Sequence, residues 1–510
     1  VTLIGVCMVR VAYRMLYEHA RARITGSDAQ VRRAIVLGAG DAAKRLLAAI
    51  HHEGWIVLGL LDDDAAKRGA RIAGVPVLGT LADLARADIR AGATHVIVAM
   101  PGAPLRARRR AIDLAAATGL PVLTVPSMSE LQDGRARIER VRSIEPEDLL
   151  GRESVQLDEA GIGALIEGKT VLVTGAGGSI GSELCRQIAR YRPGKLVLYE
   201  LSEFALYQIE QSVGELHPEI ALVRLMGDVK NLEHLRATFR SQRPQLVFHA
   251  AAFKHVPLME EDNAWAALQN NTLGTFRAAT AAAEAGVERF VLISTDKAVN
   301  PTSVMGASKR AAEMVLSHLA TRHHATRFSA VRFGNVLGSS GSVIPLFKEQ
   351  IARGGPVTVT HPEITRFFMT VAEAARLVLQ AAAIGETGRV YVLDMGEPIR
   401  ILDLARELVR LAGHSPAEVQ ITFTGLRPGE KLHEELLVDS DQTLPTTVSE
   451  LRIATLRLDD GRIEELLEMA ARPIAVGDDA EVKAALMSAV PEYRPAPVRL
   501  PEPLPAASGS

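Results

Sequence analysis

No stretch of this chain constrains its fold as tightly as Lys169–Glu183, KTVLVTGAGGSIGSE. The apolar run Thr170–Val173 reads as a buried strand. It leads into Gly175, Gly178 and Gly181, after which Ser182, Glu183 and Leu184 can open a helix. Glycines at this spacing let the backbone turn tightly and approach a pyrophosphate, whose charge then faces free N–H groups at the positive end of the helix. The motif predicts a dinucleotide held by Gly175, Gly178, Ser179, Ile180 and Gly181.

The next strand, KLVLYELSE, ends at Glu200, about 25 residues beyond Gly175, near the spacing of an acid that grips a ribose. A carboxylate there repels a 2′-phosphate, so NAD is favoured over NADP. Asp228 and Val229 follow a further strand, where Asp228 is placed to meet the adenine. In LVFHAAAFKHVP, the small residues Ala250 and Ala251 permit close approach to the pyrophosphate. RFVLISTDKAV ends in Ser294-Thr295-Asp296-Lys297, polar residues at the carboxyl end of a buried strand, where doubly wound sheets bind their ligands. Met305 and Lys309 share one face of the helix that follows, and Lys309 can reach the nicotinamide ribose.

The length, 510 residues with 47% hydrophobic and 23% charged, suits two or three globular domains. A net charge of -2 gives no general attraction to nucleic acid. Cys7 and Cys185 offer no disulfide framework and no metal site is expected. Four segments are expected: 1–26, a membrane remnant with a basic connector; 27–153, a Rossmann-like domain; 154–490, the domain carrying the chemistry; and 491–510, a Pro-rich disordered tail. In the first, Val1 to about Leu16 reads as the end of a truncated membrane segment, followed by arginines as expected just inside a membrane. In the second, a Gly38-Ala39-Gly40 turn either binds a nucleotide, with Asp62 or Asp63 on a ribose, or is a vestigial copy of the fold. The fold class is α/β: two successive Rossmann-like, doubly wound parallel-sheet domains, the second with a smaller C-terminal substrate-binding subdomain.

TGAGGSIGSE, HAAAFKHVP, STDKAVNPTSVMGASK, RFGNVLGSSGSVIP, TRFFM and GLRPGEKLHEEL together resemble the extended short-chain dehydrogenase/reductase superfamily. Within it the chain is similar to the membrane-associated nucleotide-sugar 4,6-dehydratases of bacterial polysaccharide biosynthesis, the CapD-like family. The resemblance implies a location at the cytoplasmic face of the inner membrane, homo-oligomers, and a UDP-N-acetylhexosamine as substrate. It implies an NAD-dependent lyase reaction: oxidation at C4, loss of water across C5 and C6, and return of the hydride to C6.

By that resemblance Lys297 removes the C5 proton, Asp296 protonates the leaving 6-hydroxyl, and Thr295 bonds the 4-hydroxyl. These roles require Asp296 to hold a proton near neutrality and Lys297 to lose one. Neighbours on a strand point to opposite faces, so an irregular turn must bring the two together. Met305 stands where the superfamily usually has a tyrosine, and a thioether takes no proton. Lys254, His255, Asn335, Val336, Arg366, Arg427 and Glu430 are expected around the substrate, the two arginines as a diphosphate clamp. C4 epimerisation, C5-inverting dehydration and a non-catalytic nucleotide-sugar sensor are the alternative readings.

Overall fold

A computed structural model describes residues 32–50, 54–126, 141–144, 157–339, 341–414, 417–437, 443–455, 461–472 and 479–496. Contacts divide the chain between Ile144 and Glu145 into two compact units.

In the first unit, the strands are β1 (Arg32–Leu37), β2 (Trp55–Leu61), β3 (Arg71–Ile72), β4 (Val75–Gly79), β5 (His95–Val98), β6 (Val122–Thr124) and β7 (Arg142–Ser143). They form one sheet in the order β3-β4-β2-β1-β5-β6-β7, parallel except at β3 and β7. Helix α1 (Asp41–Ile50) packs Ala43, Leu46, Leu47 and Ile50 inward at helical spacing.

The second unit is built on a nine-stranded sheet. Its parallel part runs β10 (Leu222–Met226), β9 (Lys195–Glu200), β8 (Thr170–Thr174), β11 (Leu246–His249), β12 (Arg289–Ile293), β13 (Arg327–Arg332) and Arg389–Leu393. Strands Leu451–Thr455 and Thr443–Pro445 close that edge antiparallel. The parallel strands read as near-continuous apolar runs because both faces are covered. Leu172, Val197 and Phe290 belong to one apolar layer, while Val171, Val173, Leu196 and Leu198 belong to another. The order reverses at β8, so the ends of β8 and β11 flank a topological switch point. A further apolar cluster, including Ile344, Phe347, Val357, Phe368, Leu404 and Leu408, forms the expected smaller subdomain.

The disordered tail expected from Pro491 needs correction at its start. Tyr493 is fully buried, and the N–H groups of Arg494 and Ala496 donate to the carbonyls of Pro301 and Thr302 at 2.9 and 3.1 Å. Burying one tyrosine ring outweighs the lack of periodicity around it. The expectation for Val1–Leu16 lies outside the described residues, as does that for 497–510. Among the described residues no helix is long and apolar enough to cross a membrane.

Candidate active site

The glycine motif forms a strand, a tight turn and a helix. Helix α2 (Ser179–Arg190) opens three residues earlier than the sequence suggests, with Gly178 at its N-cap. Gly175 has φ of 62°, and a Cβ there would lie 2.7 Å from the Ala251 nitrogen. A Cβ on Gly181 would lie 2.0 Å from the Gly175 carbonyl oxygen. Only glycine fits either position, and together they leave the cradle a pyrophosphate needs at a helix N-terminus.

Glu200 ends β9 as expected, but its carboxylate serves the backbone: Oε2 accepts from Gly177 N–H at 2.9 Å and Oε1 from Leu201 and Ser202 N–H at 2.9 and 3.0 Å. These bonds fix it against the glycine turn. Asp228 accepts from Lys230 N–H at 2.8 Å and pairs with its ammonium, while the Val229 side chain is buried. Beyond β11, Ala250 and Ala251 pass the glycine turn, and Ala251 N–H reaches Thr174 Oγ1 at 3.4 Å. Asn271, which sequence reasoning missed, pins the next segment. Its amide takes both the N–H and the carbonyl of Phe253, at 2.8 and 3.0 Å, and bonds Ser308 Oγ at 3.0 Å.

The end of β12 supplies the irregular turn. Ser294 and Asp296 donate their N–H groups to the Val331 and Phe333 carbonyls, at 2.7 and 3.0 Å, and Asp296–Ala298 then tightens into a 3₁₀ turn. The turn brings adjacent side chains together. Lys297 Nζ donates to Asp296 Oδ1 at 2.9 Å and to Asn335 Oδ1 at 3.0 Å, and Thr295 Oγ1 donates to Asp296 Oδ1 at 3.0 Å. Asp296 is fully buried, and its Oδ2 has no donor among the described residues.

Lys297 departs from the expectation in its ionisation. Burial weakens its hold on the proton, but the charges of Asp296 and of Glu434 outweigh burial and hold its pKa above the ordinary lysine value. Glu434 is the second residue that sequence reasoning missed. Its carboxylate is buried 3.9 Å from Lys297 Nζ and 3.9 Å from Arg366 Nε.

Helix α3 (Val304–Ala320) is buried along almost its whole length and carries Met305 and Lys309 on one face. Lys309 Nζ donates to the Ile293 carbonyl at 2.6 Å, and burial lowers its pKa to about 8. Glu313, one turn on, accepts Ser294 Oγ at 2.7 Å and both Nε and Nη2 of Arg332, at 2.7 and 2.6 Å. Despite burial, Arg332 and Arg310 lower its pKa to about 2. A buried acid thus anchors the start of the Thr295-Asp296-Lys297 turn through Ser294.

On the substrate side, Arg366 is corrected. Its guanidinium is buried and spent on the carbonyls of Thr365, Lys431 and Leu432 and on Glu430, so it braces the RPGEK loop and offers no free fork to a phosphate. Arg427 is exposed and makes no side-chain ion pair among the described residues. Val336 is buried, and Asn335 belongs to the lysine cluster. His255 is exposed. Lys254 is exposed by surface area, yet enough protein surrounds its ammonium that burial, with the Lys297 charge second, lowers its pKa.

In the first unit, Asp62 accepts Ala39 N–H at 2.7 Å and pairs with Lys67 at 3.0 Å, while Asp63 takes Leu81 N–H and Arg110. Asp62 thus lies against the Gly38-Ala39-Gly40 turn as Glu200 lies against its own glycine turn. Among the described residues no group of three His, Cys, Asp or Glu side chains is placed to hold a metal.

A family model described as "Polysaccharide biosynthesis protein" matches residues 171–455, and one described as "CoA-binding domain" matches residues 1–126. The chain is 43% identical over 451 residues to the probable polysaccharide biosynthesis protein EpsC of Bacillus subtilis, covering 87% of this chain and 74% of the relative. It is 33% identical over 284 residues to a UDP-N-acetylglucosamine 4,6-dehydratase (inverting) of Campylobacter jejuni, covering 55% of this chain and 80% of the relative. Among solved structures, Pen from Bacillus thuringiensis is similar, with a TM-score of 0.53 and 30% identity over 57% of this chain and 88% of that one.

A doubly wound unit with this glycine turn and this Thr-Asp-Lys turn defines an enzyme of the short-chain dehydrogenase/reductase superfamily, among the nucleotide-sugar dehydratases and epimerases. Within it, the chain belongs to the polysaccharide biosynthesis protein family.

Proposed function

We propose that the second unit catalyses 4,6-dehydration of a UDP-N-acetylhexosamine, with UDP-N-acetylglucosamine as the preferred substrate, yielding the 4-keto-6-deoxy sugar nucleotide for surface polysaccharide synthesis. The observation that carries this reading is the contact between Lys297 Nζ and Asp296 Oδ1 at 2.9 Å.

The glycine cradle and Glu200 would hold NAD, whose chemistry there would be reversible hydride acceptance between C4 and C6 of the sugar. The chain's own residues handle the protons. At rest Asp296 and Lys297 form an ion pair. Moving one proton from Nζ to Oδ1 leaves an amine and a carboxylic acid, the two forms that elimination needs. The amine takes the C5 proton, made acidic by the neighbouring ketone. The acid gives its proton to the departing 6-hydroxyl, which leaves as water. Lys297 is then an ammonium and Asp296 a carboxylate; as C6 regains its hydride, Lys297 returns a proton to C5, and the proton released by the C4 hydroxyl makes good that loss, so the whole cycle restores the resting pair. The raised proton affinity of Lys297 is therefore compatible with a role as base, because the proton it must lose has an acceptor in direct contact.

Thr295, whose hydroxyl donates to Asp296, bonds the 4-hydroxyl in this reading. In this reading Lys309 serves the nicotinamide ribose, Arg427 and Lys254 the diphosphate, and His255 and Glu430 the rest of the substrate rim. With Met305 in place, the C4 hydroxyl proton leaves to water or to Asp296, and where Asp296 takes it Lys297 passes its own proton to solvent instead. Mass spectrometry of UDP-N-acetylglucosamine incubated with the protein and NAD tests the reading: a product lighter by one water is expected, and an isomer of unchanged mass would instead indicate epimerisation.

A further inference from the structure

Lys297 faces two carboxylates, and the dehydration mechanism uses only one. Glu434 comes from the GLRPGEKLHEEL segment, in the same stretch as Glu430 and Lys431, and reaches back to the turn after β12. Its side chain is 4% exposed and that of Lys297 20% exposed. Oε1 is the oxygen 3.9 Å from both Lys297 Nζ and Arg366 Nε, and Oε2 is buried with no donor among the described residues. A buried carboxylate without full hydrogen bonding persists only where nearby cations compensate its desolvation.

We propose that Glu434 is a positioning residue for Lys297, a second counter-ion that holds the amine in place and keeps it charged between turnovers. Lys297 lies in the field of Asp296, Glu434 and Arg366, and it acts in turn on Lys254. Glu434 lies in the field of Lys297, Asp296, Arg366 and Lys431. Burial is the largest influence on Glu434 and raises its pKa, Asp296 adds to the rise, and the cations oppose it. Glu434 in turn raises the proton affinity of Lys297. The carboxylate also joins two parts of the site, since Arg366 braces the RPGEK loop that carries Arg427.

The counter-ion relation stands on geometry alone; the role of Lys297 as base rests on the proposed dehydration. The test separates the two. Residue-resolved labelling of lysine amines by an acylating reagent is followed against pH in the full chain and in Glu434→Gln, which keeps the shape and removes the charge. A full charge about 4 Å away contributes about one to three pH units in a partly screened site. The Lys297 midpoint is expected to fall by at least about one unit in Glu434→Gln and to stay within a few tenths of the parent in Glu434→Asp. Loosened packing alone changes how fast the amine labels but not its midpoint, so an unmoved midpoint in folded Glu434→Gln overturns the proposal. In turnover, the basic limb of the kcat profile, where the pair loses its shared proton, is expected to move to lower pH by the same amount. A shifted midpoint in protein that never converts a UDP-sugar would sink the dehydration reading while leaving the counter-ion in place.

Discussion

Lys297 Nζ and Asp296 Oδ1 lie 2.9 Å apart although the two residues are adjacent in the chain. A regular strand would send them to opposite faces; the 3₁₀ turn at Asp296–Ala298 converges them. Asp296→Asn removes the acid and the acceptor of the Lys297 proton while keeping the shape. We expect kcat to fall by about 10²- to 10⁴-fold with NAD binding unchanged. Turnover at the parent rate would remove Asp296 from the mechanism.

The glycine turn gives a prediction that does not depend on turnover. A Cβ added to Gly181 would lie 2.0 Å from the Gly175 carbonyl oxygen, a backbone atom that cannot yield cheaply. Gly181→Ala should weaken NAD binding by more than about tenfold in a calorimetric titration and lower the melting temperature. Binding at parent affinity would mean that the cofactor lies elsewhere.

Arg332 and Glu313 form a buried two-point pair. Arg332→Met leaves the buried Glu313 carboxylate with Arg310 as its remaining cation and should cost about 3 kcal/mol, the lower end for a broken buried pair, in urea unfolding, whereas the double variant Arg332→Met with Glu313→Leu should recover part of the loss. The Glu313 pKa falls from 4.5 to about 2, so the stability it contributes is present above the unfolded value and disappears as pH drops through that window. A single variant as stable as the parent would show that solvent reaches the pair.

His249 supplies a second acid-sensitive group. It is fully buried between Thr174 and Thr275, and burial, aided by the Lys309 charge, lowers its pKa from 6.5 to about 3. Below the unfolded value, the unfolded chain takes up a proton that the folded chain refuses. Stability should therefore fall as pH drops from about 6.5 towards 3, by up to about 1.4 kcal/mol per pH unit from this group. His249→Gln should flatten that slope in unfolding measured between about pH 6.5 and 4.5, above the window of Glu313. An identical slope would assign the sensitivity to other groups.

What the sequence discloses follows from how locally each feature is encoded. The glycine spacing and the polar run Thr295-Asp296-Lys297 are short-range patterns: the glycines form their turn, although the helix opens three residues early, and the polar run follows the strand end at Ile293. The acid cluster is not local. Nothing marks Glu434 off from Glu430 or Glu435 in a loop without periodicity, and only the fold carries it to Lys297. The same holds for Asn271, whose partner Phe253 sits in the irregular segment after β11. Arg366 was legible as a guanidinium but not as one spent on three backbone carbonyls. Tyr493 was obscured by the prolines that follow it, since composition describes a segment and not its one buried ring.

The most direct test of the central claim is NMR of UDP-N-acetylglucosamine incubated with the protein and NAD in deuterated water. Lys297 exchanges its protons with solvent, so the account predicts a 4-keto-6-deoxy product carrying deuterium at C5, its couplings reporting whether that centre is retained or inverted. Unchanged sugar, or a C4 epimer without deuterium at C5, from protein shown to hold NAD would contradict elimination by Asp296 and Lys297.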